Sequence, residues 1–232
     1  MTSSPADRSA EPSTADPSTD TGGLRGRKRE RTRRAISDAA FRLFSEQGFD
    51  AVTLTRIAAA ADVAPATVFT HFASKEDIFF SRREEFWTGV PETVGSARTW
   101  GGLLDGLRAF YAGRCERILS GDHCAHGRVF SRVLLESPAL KRSYLAIAAE
   151  RQQMMCELLA ARAAQVPEAE RKLFAALVVA VGETAYAAVH TALAAGEPAE
   201  RARSAAEDAL DRGFARLARA YPGTAALTAA PA

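Results

Sequence analysis

The spacing of apolar residues along this chain restricts its fold more than any other feature, because it follows the period of an α-helix. In the segment that begins at Arg33, apolar side chains recur at positions i, i+3, i+4, i+7 and i+8. They are Ile36, Ala39, Ala40, Leu43 and Phe44. No segment alternates apolar and polar residues for long enough to predict a β-strand. The sequence therefore predicts an all-α protein with about nine helices.

Glycine, proline and N-cap residues predict where these helices begin and end. Gly48 ends the first helix, and Thr53 caps the second. Pro65 opens a short third helix, and Ser74 caps a fourth that runs to about Thr88. Five longer helices follow, over residues 99–119, 123–135, 138–164, 168–194 and 199–220. This pattern predicts a small N-terminal part followed by a larger C-terminal part.

The two ends of the chain differ in composition from the rest. Residues 1–24 contain Ser, Thr, Pro and Asp but almost no large apolar side chain, so we expect a disordered tail there, and another at residues 223–232. The segment RGRKRERTRR, residues 25–34, carries seven positive charges against one negative, although the net charge of the chain is only +2. We interpret it as a basic arm that opens an N-terminal domain at 25–88, ahead of a C-terminal domain at 89–222.

Several classes of protein are disfavoured by what the sequence lacks. Its three cysteines are too few and too scattered for a disulfide framework. It has no apolar run of 18 residues and no signal-peptide core, so we expect a soluble, cytoplasmic protein with no membrane partner. It shows no serine–histidine–aspartate spacing, paired carboxylate motif or phosphate-binding loop, so we do not expect an enzyme.

The segment DHCAHGR, residues 122–128, suggests a metal or thiol sensor built on His123, Cys124 and His126. Structural zinc sites use paired spacings such as Cys-x2–4-Cys, which this sequence lacks. We therefore expect neither a metal nor a cofactor, and the sensor is kept as an alternative.

The segment VAPATVFTHFASKED, residues 63–77, places a very short helix between two others, which is the plan of a helix-turn-helix unit. A helix of this length is stable only when it packs on its neighbours, so Val63, Val68 and Phe72 are predicted to face inward. The other side chains are left exposed or nearly so: Pro65, Ala66, Thr67, Phe69, Thr70 and His71. Threonine and histidine can hydrogen-bond to base edges, and the threonine methyl group can contact that of thymine.

Polar groups beside this unit can meet phosphates. Lys75 stands at the start of the fourth helix, and Thr53 offers a hydroxyl and free backbone amides at the start of the second. Each has a structural alternative, since Lys75 can be a solvated helix start and Thr53 caps its helix in any case. His71 can equally be a partner of the preceding helix.

Residues 29–88 resemble the DNA-binding domain of the tetracycline-repressor (TetR) family. The resemblance is carried by the segment AAFRLFSEQGFDAVTLTRIAAAADVAPATVFTHFASKEDIF, and the C-terminal two-thirds of the chain is similar only in helix number and length. It implies an N-terminal three-helix helix-turn-helix DNA-binding domain and a C-terminal helical ligand-binding and dimerisation domain. The implied function is a homodimeric repressor that binds a palindromic double-stranded DNA operator and is released by a small-molecule effector.

The resemblance also implies which residues contact DNA, with a recognition helix at about Pro65 to Thr70 in the major groove. Residues that would approach bases are Thr55, Pro65, Ala66, Thr67 and Thr70. Residues that would lie along the backbone are Thr53, Phe69, His71 and Lys75. The basic arm would add Arg27, Lys28, Arg29 and Arg31 at phosphates or in the minor groove. Ala64 and Phe69 depart from the usual Ser and Tyr, so the helix lacks a side-chain cap and one hydroxyl.

For dimerisation, the resemblance implies that the last two helices pair with those of a second copy in a four-helix bundle. Two faces of the sequence agree with this pairing. One is a small-residue face of Ala176, Ala180, Ala187 and Thr191, and the other is an apolar stripe of Leu210, Phe214, Leu217 and Tyr221. Such stripes also form intramolecular cores, so the residues alone leave both possibilities open.

The middle helices contain more polar residues than a plain core needs, and polar groups among apolar neighbours are costly unless satisfied. A ligand pocket is one reason to keep them. We therefore expect a mainly apolar effector bound by Phe110, Tyr111, Arg128, Arg132, Met154, Glu183, Tyr186 and His190. The alternative is an internal hydrogen-bond set, such as Glu183 with an arginine, in an architectural DNA-binding protein without an effector.

Overall fold

The computed structural model describes residues 21–81 and 87–221, apart from the side chains of residues 21–24 and 122. Over these ranges the chain forms ten helices and no strand, which confirms the all-α prediction. The helices are α1 (Thr21–Gln47), α2 (Leu54–Ala60), α3 (Pro65–His71), α4 (Lys75–Phe79), α5 (Val90–Ser96), α6 (Trp100–Leu119), α7 (Asp122–Glu136), α8 (Pro138–Arg162), α9 (Glu168–Ala194) and α10 (Ala199–Ala220). We refer to α1–α4 as the head and to α5–α10 as the body.

The first helix starts earlier than the sequence pattern indicated. Residues 21–24, expected in the disordered tail, and the basic segment at 25–34, expected as an arm, are both part of α1. Arginine, lysine and glutamate are good helix formers, and Glu30 pairs with Arg34 one turn later at an N–O distance of 3.0 Å. The basic residues therefore project from a continuous helix. Residues 1–20 and 223–232 lie outside the described parts of the chain.

The fourth helix ends earlier than predicted. It stops at Phe79, not near Thr88, because the next residues tighten the turn: the N–H of Ser81 donates to the carbonyl of Ile78 at 3.2 Å. This turn directs the rings of both Phe79 and Phe80 into the interior. Residues 82–86, which the prediction placed in the same helix, lie outside the described parts.

A seven-residue helix that the sequence pattern did not predict, α5, precedes the long helices of the body. It follows Gly89, whose φ of 98° requires the left-handed conformation that glycine adopts most easily. Val90 and Val94 bury one face of α5. The guanidinium of Arg162 donates hydrogen bonds to carbonyl groups at its C-terminal end. Tertiary contacts therefore hold a helix that is too short to be stable alone.

The turn between α2 and α3 follows a helix-ending pattern with a left-handed residue. Asp62, at φ 54°, is the one non-glycine residue with a positive φ in the described part of the chain. The N–H of Val63 donates to the carbonyl of Ala58 at 3.0 Å, and that of Asp62 to Ala59 at 3.3 Å. These are the two bonds of a Schellman motif. They fix the angle at which α3 leaves α2.

The interior consists of two apolar clusters that meet at the border of head and body. The first is built from α1 to α4 and is completed by four residues of the body, Val133, Leu134, Leu140 and Ile147. The second surrounds α9 and contains Tyr111, Phe174, Tyr186 and Leu193. The stripe on α10, Leu210, Phe214, Leu217 and Tyr221, is buried in this second cluster. It is therefore intramolecular core in this chain and is not available to a second copy.

Among the described helices, α9 meets the length and hydropathy criteria of a membrane span, with a mean hydropathy of 1.6. Half of that stretch is buried, and core helices meet the same criteria. The high hydropathy reflects its position, since α9 packs against α6, α7, α8 and α10.

Candidate nucleic-acid interface and ligand cavity

The short helix α3 is anchored on one side and open on the other. Val68 is fully buried and Phe72, which ends the helix, nearly so, whereas Val63 is only half-buried. The outward set consists of Pro65, Ala66, Phe69 and Thr70, which are exposed, with Thr67 half-buried beside them. The Phe69 side chain is 61% exposed. This outward face therefore combines one large aromatic ring with small residues and threonines.

The start of α2 provides a second group of exposed side chains. Thr53 caps the helix by accepting a hydrogen bond from the N–H of Arg56 at 3.3 Å, as predicted. Thr55 and Arg56 are exposed on the first turn. Arg56 was not among the predicted DNA-binding residues, although its place beside the cap is suited to a phosphate.

Lys75 is held by the chain itself. Its Nζ donates to the carbonyls of Phe49 and Val52 at 2.8 and 2.9 Å and lies 4.2 Å from the centroid of the Phe49 ring. Two of its three N–H donors are therefore used to close the loop between α1 and α2. One donor is left for a phosphate, so the DNA contact of Lys75 remains a prediction beside a clear structural role.

His71 and Arg33 join the end of α3 to α1. Nη1 of Arg33 donates to the carbonyl of His71 at 2.8 Å, and its guanidinium lies 4.3 Å from the centroid of the Phe72 ring. Desolvation, with Arg29 and Arg33 nearby, lowers the pKa of the His71 imidazole. The ring is therefore neutral at pH 7, and the backbone of His71 is a partner of the preceding helix.

The basic residues of the predicted arm, Arg27, Lys28, Arg29 and Arg31, are all exposed on the first turns of α1. Successive residues of an α-helix point in different directions around its axis. These four side chains therefore form a positive surface around the N-terminal end of α1. This surface lies on the helix that Arg33 ties to α3. Phosphate contacts from these residues remain a prediction.

A cavity of about 190 Å³ lies where the head meets the body. From the head it is lined by residues of α1 and α4 that include Phe41, Phe79 and Phe80. From the body it is lined by residues of α6, α7, α8 and α9 that include Phe130 and Tyr144. Phe79 and Phe130 stack with their ring centroids 4.5 Å apart. A molecule in this cavity would therefore touch both parts of the chain at once.

A buried ion pair forms the floor of this cavity. Arg151 lines it and is paired with Glu183 at an N–O distance of 2.5 Å. The Arg151 guanidinium lies 5.7 Å from the ring centroids of both Tyr144 and Tyr186, and 5.9 Å from that of Trp87. Burial raises the pKa values of both tyrosines, which keeps their hydroxyls neutral. The internal pairing of Glu183 with an arginine, left open by the sequence, is present.

His190 is the most deeply placed histidine of the three that line the cavity, and it is buried. Its Nδ1 lies 2.9 Å from Oγ of Ser131, and that hydroxyl donates its own proton to the carbonyl of Gly127 at 2.6 Å. A serine hydroxyl has only one proton, so Nδ1 must be the donor to Ser131. Burial, with Arg151 nearby, lowers the pKa of His190 to about 4. The ring is therefore neutral, and Nε2 is a hydrogen-bond acceptor.

Of the eight residues predicted to bind a ligand, Tyr186 and His190 line the cavity, and Glu183 adjoins it through Arg151. The other five lie elsewhere. Tyr111 packs in the body core, and Phe110 packs against it with ring centroids 5.5 Å apart. Met154 is 41% exposed on the surface of α8.

The two predicted ligand arginines bind backbone carbonyls. Nη2 of Arg128 donates to Glu197 at 2.7 Å, and Nη2 of Arg132 donates to Ser45 at 3.2 Å. Arg128 therefore joins α7 to the turn before α10, and Arg132 joins α7 to α1. Sequence spacing alone did not distinguish these bridging arginines from a cavity arginine.

The most informative residues that the sequence analysis missed are Arg151 and Tyr144, which line the cavity, and Ser131, which is fully buried and hydrogen-bonds to His190. Tyr144, Ile147 and Arg151 stand at i, i+3 and i+7 on α8 and all line the cavity. This stripe, an aromatic and a charged residue on one helix face, was a usable signal. Nothing in the sequence singled out Ser131, because its role depends on a residue of another helix.

The segment with His123, Cys124 and His126 does not come together as a metal site in the described part of the chain, where no group of three potential ligands is found. His126 instead stacks on Phe41, with ring centroids 3.8 Å apart. Cys124, the thiol of this alternative, is half-buried and free. The described residues therefore form no metal site at this segment, and the thiol sensor stays an alternative from the sequence.

Similarity to known proteins agrees with this arrangement. The sequence profile of bacterial regulatory proteins of the tetR family matches residues 36–81. The HTH-type transcriptional regulator TcmR of Streptomyces glaucescens is 30% identical over 144 residues, 60% of this chain and 64% of TcmR. The transcriptional regulator MftR of Mycobacterium tuberculosis is 31% identical over 140 residues, 59% of this chain and 68% of MftR. The chain thus spans slightly less than two thirds of the first relative and slightly more than two thirds of the second.

Among solved structures, NalD, the secondary repressor of the MexAB-OprM multidrug efflux pump in Pseudomonas aeruginosa, superposes with a TM-score of 0.52 at 21% identity. The superposition covers 81% of this chain and 97% of NalD. At this identity the similarity establishes a shared fold, including the C-terminal helices that the sequence profile does not reach.

Proposed function

Because this chain belongs to the tetR family of bacterial regulatory proteins, we propose that it is a cytoplasmic, homodimeric transcriptional repressor. In this proposal it binds a palindromic operator through α3 and is released when a small molecule occupies the cavity between head and body. Among its relatives, TcmR and MftR carry the names of transcriptional regulators.

The observation that carries the DNA-binding role is the outward face of α3. The helix is fixed from behind by Val68 and Phe72, and its end is tied to α1 by Arg33. A short rigid helix with small residues, threonines and one exposed ring can enter a major groove without first reorganising. The positive surface around the end of α1 supplies cations for the flanking phosphates.

The homodimer is supported by an exposed stripe on α9. Leu173 and Leu177 are 51% and 36% exposed, and the stripe continues along the helix with small residues. These are Ala180, Thr184, Ala187 and Thr191, all exposed. Their spacing alternates between three and four residues, which keeps them on one helix face. Three of them belong to the small-residue face predicted from the sequence, and the two leucines extend it.

Release by an effector is supported by the position of the cavity. Its wall includes α1 and α4 of the head together with four helices of the body, so an occupant changes the packing between them. Occupancy releases DNA only if the effector binds the geometry of the free dimer more tightly than that of the DNA-bound dimer. The hydrogen bond from Arg33 to the carbonyl of His71 couples α1 to the end of α3, so a movement of α1 would also move α3.

The DNA-binding role is tested by selecting bound duplexes from a random library and measuring their affinity by fluorescence anisotropy. We expect the selected duplex to bind ~10³-fold or more tightly than a scrambled one. Thr67→Ala should reduce this discrimination, since a lost base contact costs about 1–3 kcal/mol. Phe69→Ala should weaken binding. Leu145→Ala, at an apolar side chain 70% exposed on α8 and outside the proposed interface, should not.

The positive surface is tested by the salt dependence of the same binding. Neutralising Arg27, Lys28, Arg29 and Arg31 should reduce the slope of log affinity against log salt, since each lost phosphate contact removes about one released counterion. Neutralising Lys141, Arg142, Arg216 and Arg219, which are exposed on α8 and α10, is the matched control. If no duplex is selected, or both sets change the slope equally, the proposed interface is wrong.

A further inference from the structure

The shape and lining of the cavity restrict what can occupy it. Phe79, Phe80, Phe130 and Tyr144 form a continuous aromatic wall, in which Phe80 lies 6.1 Å from Phe130 and 6.2 Å from Tyr144 between ring centroids. Flat rings gain offset-stacked and edge-on contacts with such walls that a flexible chain does not. An engineered cavity of about 150 Å³ accommodates benzene. The volume of 190 Å³ therefore suits an aromatic compound of one or two fused rings.

The charged residues beside the cavity restrict the charge of an occupant. Arg151 and Glu183 neutralise each other, so the buried charges beside the cavity sum to zero. The other two charged residues of the lining, Asp38 and Arg117, are exposed to water and of opposite sign. A charged occupant would therefore lose hydration without gaining a buried opposite charge that is not already paired. A neutral compound is therefore favoured over a carboxylate or an amine.

His190 determines which hydrogen bond an occupant of the cavity can make. The chain from Nδ1 through Ser131 to the carbonyl of Gly127 fixes the tautomer and leaves Nε2 as an acceptor. Within the described residues, no protein group hydrogen-bonds to Nε2. An occupant that donates a proton to Nε2 satisfies it, whereas one with only an acceptor does not.

We infer that the cavity binds a neutral hydroxylated aromatic compound of one or two fused rings, whose hydroxyl donates to Nε2 of His190. This assignment of ligand class rests on the proposed effector site. In this assignment the cavity selects the compound class, and His190 accepts the hydrogen bond of its hydroxyl group.

The test is calorimetric titration of the full chain with four probes. They are 1-naphthol, 1-methylnaphthalene of matched size without a donor, 1-naphthoate with a charge, and 1-decanol with a hydroxyl but no ring. We expect 1-naphthol to bind about tenfold more tightly than 1-methylnaphthalene, as one net hydrogen bond provides. The other two probes should bind more weakly than 1-naphthol.

Two variants locate the hydroxyl. His190→Phe keeps a ring but removes the acceptor, and His190→Leu removes the acceptor with a smaller apolar side chain. In both, the preference for 1-naphthol over 1-methylnaphthalene should fall to about twofold or less. Circular dichroism confirms that each variant is folded, and His190→Leu keeps the test valid if His190→Phe does not fold.

Equal binding of 1-naphthol and 1-methylnaphthalene, stronger binding of 1-naphthoate or 1-decanol, or no binding of 1-naphthol overturns the assignment. So does a preference for 1-naphthol that both variants retain. Release of the selected duplex is measured separately. Binding in the expected order without release supports the ligand class and contradicts the effector role, so the two failures are distinguishable.

Discussion

His190 makes the stability of the protein depend on pH in a defined direction. Its pKa is lowered from 6.5 to about 4 in the folded chain. As pH falls below 6.5, the unfolded chain takes up a proton that the folded chain does not, so stability present above this pH is lost towards pH 4.

We expect the free energy of unfolding to fall between about pH 7 and about pH 5.5 by about 1 kcal/mol more in the wild type than in His190→Phe. Urea unfolding at the two pH values measures this difference. Arg151 and Glu183 are retained in the variant, so their effects cancel. An equal loss in both proteins would show that His190 titrates normally.

Lys75 combines a half-buried position at a helix start with internal hydrogen bonds. Replacing it by methionine keeps the length of the side chain but leaves the carbonyls of Phe49 and Val52 without their donor. We expect Lys75→Met to lower the free energy of unfolding by about 1–2 kcal/mol. Lys141→Met, on the exposed side of α8, should change it by less than about 0.5 kcal/mol. Equal effects would mean that the loop closes without the ammonium.

At the scale of helices, the packing of α6 against α9 depends on a glycine. A Cβ atom added to Gly182 would overlap the ring of Tyr111, whereas one added to Gly113 in the middle of α6 would meet nothing within 4 Å. Both positions lie within helices, so the change to alanine brings each the same gain of up to about 1 kcal/mol in helix propensity.

We expect Gly113→Ala to stabilise the protein by up to about 1 kcal/mol and Gly182→Ala to destabilise it by about 1–2 kcal/mol after overpacking outweighs that gain. Thermal unfolding of the two variants gives the comparison directly. Stabilisation by Gly182→Ala would show that Tyr111 moves aside at little cost.

The helices also show how far the sequence determines this structure. The boundaries of α6 to α10 follow from glycine, proline and apolar spacing, and the caps at Thr53 and Ser74 form as predicted. The helix α5 was missed because Arg162, from a distant part of the chain, satisfies its carbonyls. The end of α4 was misplaced for a similar reason, because it depends on the tertiary packing of the Phe79 and Phe80 rings.

The cavity was only partly predictable, and the reason is geometric. Tyr186 and His190 were identified because they are polar residues on an otherwise apolar helix, and they line the cavity. This pattern is visible within a single helix of the sequence. Arg128, Arg132 and Arg151 look alike in sequence, yet only the third faces the cavity. Which arginine does so depends on the rotation of α7 and α8 about their axes, and that is set by the packing of all their neighbours.

At the scale of the whole molecule, we expect the proposed dimer to form through the exposed stripe of α9. We expect Leu177→Arg to place a charge within this stripe and to convert the dimer to monomer at micromolar concentration, because an unpaired charge is costly in an interface. Analytical ultracentrifugation measures the change. Leu145→Arg makes the same substitution at a position 70% exposed on α8 and should leave the dimer intact. A dimer that persists in Leu177→Arg would place the interface elsewhere.

The apolar cluster of the head ends in the body, where Val133, Leu134, Leu140 and Ile147 complete it. Evolution and protein engineering both combine DNA-binding segments with new ligand-binding segments. The shared apolar cluster limits where such an exchange can be made in this chain. A head transferred alone would expose Phe79 and Phe80 at the cut. The unit that can be exchanged therefore includes the inner faces of α7 and α8, so a new head would arrive together with part of the cavity wall.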